Sequence, residues 1–131
     1  MLSTNRANPC LTKLWSKKSK GRDYDKWLPL PTHLIDTAEV ARRLWDSWVS
    51  RSVVNRISQG ITVDGQVDFS IAQSVFEFLA YVHDIGKVSP AFQTQETHGN
   101  PDLNDFTRQQ VINAGFPLKP NYANSKESRH I

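Results

Sequence analysis

The sequence predicts an all-α fold with room for one short β-hairpin. Three stretches carry that reading. Leu34, Ala38, Ala41, Trp45 and Trp48 recur at spacings of four, three, four and three, which lines them along one helix face. Ile71, Val75, Phe78, Leu79 and Val82 form a second stripe, thickened by Phe76, Ala80 and Tyr81. Phe106, Val111 and Ile112 make a third, shorter helical pattern.

Taken in order, residues 1–32 read as irregular, polar and basic, punctuated by Trp15, Trp27, Pro29 and Pro31. A proline fixes its own φ and pushes its predecessor out of the α region. Helix is therefore expected only after Pro31, with Thr32 as N-cap. The first helix spans 33–51, with Asp36, Glu39, Arg42, Arg43 and Asp46 mainly off its apolar face, and Val53, Val54 and Ile57 extend the helical run toward Gly60. Segment 60–68, GITVDGQVD, is a loop or weak hairpin turned at Asp64-Gly65. Asp68 or Ser70 caps the second long helix, which is apolar on so much of its surface that it is predicted to be central. It is expected to end near Ser89, ahead of Pro90. Pro90–Asn100 then reads as a polar loop anchored by Phe92. The last helix, Leu103–Ala114, is stopped by Gly115 and Pro117.

The 131 residues fit one domain, and a hydrophobic fraction of 38% with four tryptophans is enough for a core. A formal charge of +3 is too small by itself to imply nucleic acid. Its distribution says more: Lys13, Lys17, Lys18, Lys20, Arg22 and Lys26 cluster against only Asp23 and Asp25. Cys10 is the single cysteine, so no intramolecular disulfide is available and a reducing cytoplasm is the expected compartment. Near the terminus it reads as incidental rather than catalytic. No apolar run approaches the roughly 20 residues that cross a bilayer, and the N-terminus lacks a signal-peptide core.

The chemistry concentrates in AYVHDIGKVSPAFQ, residues 80–93. His83 and Asp84 are adjacent, and on a helix they would point about 100° apart, so they converge on one ion only at the helix edge. Lys87, four residues after His83, would share its face and bring an ammonium to phosphate oxygens. Gly86 leaves room beside them. Imidazole and carboxylate together suit divalent first-row metals, which polarise a phosphoryl oxygen and generate a nucleophile at neutral pH. Asp84, with two oxygens, is able to bridge two ions. A buried His-Asp pair is also satisfied by hydrogen bonding alone, but ionisable groups on an apolar helix are costly unless something compensates them. His33, opening the first helix, is either a further ligand or a solvent-facing histidine. His98, in a polar loop, reads as surface.

The strings LWSKKSK (14–20), WLPLPTHLIDTAEVARRLW (27–45) and FLAYVHDIGKVSPAFQTQ (78–95) together resemble the HD nuclease domain of the CRISPR-associated type I nuclease-helicase. HDIGK followed closely by FQ marks this branch of the HD superfamily. The resemblance implies a truncated HD-domain helical bundle, with 1–131 as the N-terminal part of a single metal-dependent nuclease domain. It implies His33, His83, Asp84 and His130 as metal ligands, the last preceded by Arg129, and Asp84 and Lys87 as catalytic. It implies divalent ions as cofactors: manganese, nickel, cobalt, magnesium or iron. It implies single-stranded DNA, a CRISPR surveillance complex and a helicase domain as partners. The histidine pair and final aspartate that the family carries downstream are not in this sequence, and 97–126 matches no family motif.

On this reading the chain is a weakly active nuclease fragment. The alternative is a non-catalytic truncated HD module that binds or regulates CRISPR components. A general nucleotide phosphohydrolase is disfavoured by the FQ element and the tryptophan-rich first helix. Lys17, Lys18 and Lys20 are candidate DNA contacts through counterion release. Trp15 and Trp27 are placed either to stack on bases or to pack into the core, the core being preferred for Trp27.

Overall fold

The computed structural model describes residues 8–20 and 26–118. Within it the chain divides into two compact units, residues 34–84 and a unit made of 1–33 with 85–131. The elements are mainly helical, as expected, with two short two-stranded sheets. No helix among the described residues is long and apolar enough to cross a membrane.

The 34–84 unit is built on α1 (Leu30–Ser47), α2 (Arg51–Gln59), the strands β3 (Thr62–Val63) and β4 (Gln66–Val67), and α3 (Phe69–Val82). Helix α1 starts before Pro31 rather than after it, because a proline in the first turn lacks only an N–H that has no intrahelical acceptor. The expected run through 33–51 and on to Gly60 is in fact two helices. Trp48 and Val49 both donate to the Leu44 carbonyl, and Ser50 is extended at φ −63° and ψ 149°, which restarts the chain as α2. The Asp64-Gly65 turn has φ of 52° and 76° at its two central residues. That is the geometry of a type I′ hairpin, and the sequence placed it correctly. Asp68 caps α3, its carboxylate accepting from the Ser70 and Ile71 amides at 2.9 and 3.0 Å.

Leu34, Ala41, Trp45 and Ala72 form the buried centre of this unit, and the Trp45 and Phe76 rings lie 5.3 Å apart. The expected burial of α3 is found only in part. Phe78 and Leu79 are 61% and 59% exposed, and Ile71 and Tyr81 are exposed as well. Of the stripe read as inward, Val75 and Val82 are half-buried while Ile71, Phe78 and Leu79 face solvent.

The other unit contains the hairpin of β1 (Trp15–Lys18) and β2 (Trp27–Pro29), preceded by a single tight turn at Leu11–Lys13. This antiparallel pair, with an irregularity between Trp15 and Lys17, stands where an irregular segment was expected. Its ends are closed by Ser19 N–H to Lys26 O at 2.8 Å and Leu30 N–H to Leu14 O at 2.8 Å. Two further helices follow, α4 (Pro90–Gln93) and α5 (Pro101–Asn113). Each begins with proline after a capping side chain, Ser89 for α4 and Asn100 for α5. Helix α5 ends at Gly115, φ 88°, with Gly115 N–H on Ile112 O and Phe116 N–H on Val111 O. This is a Schellman closure that needs a left-handed residue. Leu14, Trp15, Leu30, Phe92, Leu103 and Val111 make the apolar core.

Candidate metal centre

Helix α3 stops at Val82, not near Ser89. Pro90 holds Ser89 extended and Gly86 is a weak helix former, so the chain turns at His83–Asp84 and tightens into a single 3₁₀ turn at Ile85–Val88. His83 keeps helical dihedrals, φ −56° and ψ −32°, but the pair now lies past the end of α3. Both side chains sit at the helix end, where they are able to converge.

His33 is carried by the first turn of α1. One ligand atom each from His33, His83 and Asp84 lie within 4.8 Å of one another, and this is the one such group of three among the described residues. His83 is exposed, while His33 and Asp84 are half-buried. The hydrogen bonding of His83 tests whether the group fits a cation. Nδ1 lies 2.6 Å from the Ala80 carbonyl, which only accepts, so Nδ1 carries the proton. Nε2 lies 3.2 Å from Asp84 Oδ2. In a neutral imidazole that contact opposes two lone pairs. A second proton or a cation removes the conflict, and a carbonyl on the far nitrogen is the usual support of a metal-binding histidine. The residues fit a divalent ion.

A family model described as Cas3, HD domain, matches residues 15–130. The chain belongs to the Cas3 HD-domain family. It is 36% identical over 119 residues to the CRISPR-associated nuclease/helicase Cas3 of Streptococcus thermophilus, an alignment covering 88% of this chain and 13% of that relative. The chain thus spans about an eighth of the length of the curated relative it matches. No solved structure gives a significant match.

The remaining expectations divide. Lys87 does not hold an α-helical relation to His83, since the helix has ended; its ammonium lies 5.5 Å from the Phe92 ring centroid. His130 lies outside the described residues. His98 is exposed, and Cys10 is an exposed free thiol. Gly86 faces open space, where a Cβ would meet nothing. Lys17 and Lys20 are exposed. Lys18 is not a free DNA contact: its ammonium donates to Gln95 O at 2.7 Å and Asn104 Oδ1 at 2.9 Å, and lies 4.1 Å from the Trp15 ring centroid. Burial, reinforced by the nearby Arg108 charge and opposed by Glu96, lowers its pKa to about 8. Trp15 is 4% exposed and stacks on Phe92 at 4.5 Å, so it packs in the core and offers no face to a base.

Sequence reasoning named Gln93 only as part of a family signature. The structure gives it a physical task. Fully buried, it accepts from Trp15 N–H at 3.1 Å and donates to Trp15 O at 2.9 Å and Lys87 O at 2.7 Å. Its own carbonyl accepts from the Trp15 indole at 3.2 Å. One side chain therefore pairs with β1 like an added strand and fixes the backbone three residues after Asp84. A buried amide after an aromatic, in a segment read as a loop, was the available signal.

Proposed function

We propose that this chain is a metal-dependent phosphodiesterase domain that cuts single-stranded DNA in CRISPR interference in the cytoplasm, alongside a surveillance complex and a helicase domain. The observation that carries the reading is the convergence of His33, His83 and Asp84, with the Nε2 of His83 turned to the Asp84 carboxylate. Residues 1–131 are read as the N-terminal part of one HD-type domain. His33 and His83 would give neutral nitrogens and Asp84 an oxygen, a set better suited to manganese, iron, cobalt or nickel than to magnesium, which prefers oxygen ligands. A bound divalent ion would supply Lewis-acid polarisation of the phosphate and a nucleophile at neutral pH. Asp84 orients the site from the α3 terminus, and Lys87 contributes positive charge toward a phosphate. His130 is proposed as a later ligand on the family resemblance. Lys17 and Lys20 are proposed as salt-sensitive backbone contacts.

The three ligands among the described residues serve one ion, and His130 would add only one more toward a second, whereas two-metal cleavage needs both ions held about 3.5–4 Å apart. The chain alone is therefore expected to cut slowly or not at all. The same count favours a second reading, a non-catalytic HD module that binds or regulates CRISPR components. Calorimetric titration with manganese or nickel separates the metal claim from activity. Asp84→Ala should weaken binding by more than about tenfold, or ~1.4 kcal/mol, because no other described carboxylate joins the group. Unchanged affinity would place the metal elsewhere. Single-stranded DNA incubated with manganese, cobalt or nickel, with the same mutant as control, decides between the readings. Robust cleavage that vanishes in the mutant would show that the three ligands suffice.

A further inference from the structure

Where α1, α2 and α3 meet, they frame a cavity of about 420 Å³ that lies entirely within the 34–84 unit. Trp45, Val54 and Phe69 give it apolar walls, and Asp46, Arg51 and Asn55 line it with polar groups. The walls are placed by packing. Trp45 is buried against Phe76 of α3, and Phe69, two turns earlier on the same face of that helix, is 51% exposed.

The polar groups differ in what they already hold. Asp46 Oδ1 accepts from the Gln73 amide at 3.1 Å, and Arg42 lies 3.9 Å from Oδ2. This carboxylate is therefore fixed in position and its charge is partly balanced, while its oxygens keep lone pairs to spare. Arg51 and Asn55 form no hydrogen bond or ion pair among the described residues. They stand one turn apart on α2, on the side that carries Val54 and the buried Ser58, so both are able to reach one acceptor. Nor does Arg51 serve its own helix. It heads α2, where the dipole disfavours a cation, and no acid lies in the first turn.

We infer that this cavity takes the carboxyl-terminal residue of a partner polypeptide: Arg51 and Asn55 hold the terminal carboxylate, and an apolar last side chain lies among Trp45, Val54 and Phe69. A chain end carries a carboxylate, a neutral N–H and a side chain on one carbon. Those are the three things the cavity can satisfy, with the N–H donating to Asp46. A free amino acid is the poorer occupant, because its ammonium loses more hydration than a half-balanced carboxylate restores. Single-stranded DNA is poorer still, since its phosphates would meet Asp46 and its bases would lay polar edges against Trp45 and Val54. The site is separate from the metal ligands and stands whether or not the chain cuts DNA.

Fluorescence anisotropy on the full chain in EDTA tests this, using an amino-terminally labelled Ala-Ala-Ala-Phe peptide with a free carboxyl end and its carboxyl-terminal amide. The acid should bind about tenfold or more tightly than the amide, the scale of a charged hydrogen-bonded pair. Arg51→Gln should bring the two affinities together with no change in unfolding temperature, and Arg51→Lys should restore part of the preference. Phe69→Ala should weaken both peptides alike, by roughly fivefold for one lost aromatic contact. N-acetylphenylalanine, which mimics a chain end, should displace the labelled acid more readily than phenylalanine does. Equal affinity of the parent chain for acid and amide, or a preference that survives in Arg51→Gln, would overturn the inference. So would displacement by phenylalanine as readily as by its acetyl derivative, which makes the ligand a free amino acid. Displacement by oligo-dT as readily as by unlabelled peptide would overturn it in favour of nucleic acid.

Discussion

Lys18 shows how a residue type misleads when its surroundings are unknown. In the sequence it is one of a run of surface-type lysines. In the structure it is part of a column in which its ammonium lies over Trp15, Trp15 packs on Phe92, and Lys87 lies beyond Phe92. Alternation along β1 separates it from its neighbour, Lys17 pointing to solvent and Lys18 toward the Asn104 amide. The lowered pKa has a consequence for stability. Between about 8 and the usual 10.5 the unfolded chain keeps the proton that the folded chain has lost. The unfolded state then binds more protons, so stability rises as pH rises through that window. Unfolding temperatures measured across it should climb for the parent relative to Lys18→Met, which lacks the titrating group. A parent-to-mutant difference that stays flat or falls with pH would show that Lys18 is not desolvated as described.

At the scale of elements, Gln93 does what a strand or a longer helix would otherwise do, tying β1 to the turn that follows His83 and Asp84. Gln93→Met keeps length and removes every polar partner, leaving Trp15 N–H, Trp15 O and Lys87 O without it. Each buried group left unsatisfied costs about 1–3 kcal/mol, and partial rescue by water brings the expected loss to roughly 2–4 kcal/mol. Chemical denaturation measures it, and a loss below about 1 kcal/mol would mean the amide is not the tie described here. The elements also show what the sequence made legible. Asp64-Gly65, Asp68 and Gly115 were readable because each is a local rule, a turn, a cap or a stop set by a few neighbouring residues. Helix α4 was missed because Pro90 was read as a stop and the segment after it as a loop, and α5 opens at Pro101, two residues before the expected Leu103; proline after Ser89 or Asn100 opens a helix. The β1–β2 pair was hidden because strands of four and three residues carry no usable period, and Trp15 of β1 is anchored by distant Gln93. His33, His83 and Asp84 were named from composition and resemblance. That the HD pair sits in a turn beyond α3 depended on where the helix ended, which periodicity alone overran.

For the molecule as a whole, the largest departure from the sequence reading is the apolar surface left open on the 34–84 unit. Val40 and Leu44 of α1 and Trp48 just beyond its end recur every four residues and are all exposed, and α3 adds Phe69, Ile71, Phe78 and Leu79. Scattered apolar residues on a surface need no explanation, but helical rows of them favour association. A formal charge of +3 offers little electrostatic repulsion against it. The chain is therefore expected to self-associate with rising concentration and to bind a hydrophobic dye in its folded state. Replacing Phe78 with Lys and Leu79 with Glu should suppress both, read by light scattering and dye fluorescence. Because the two side chains already face solvent, the fold should lose no more than about 0.5 kcal/mol per substitution. Leaving Ala72 and Trp45 untouched preserves the packing that holds the unit together. If the double mutant instead unfolds, those side chains are buried in solution, and the open face on α3 is closed by contacts that the described residues do not supply.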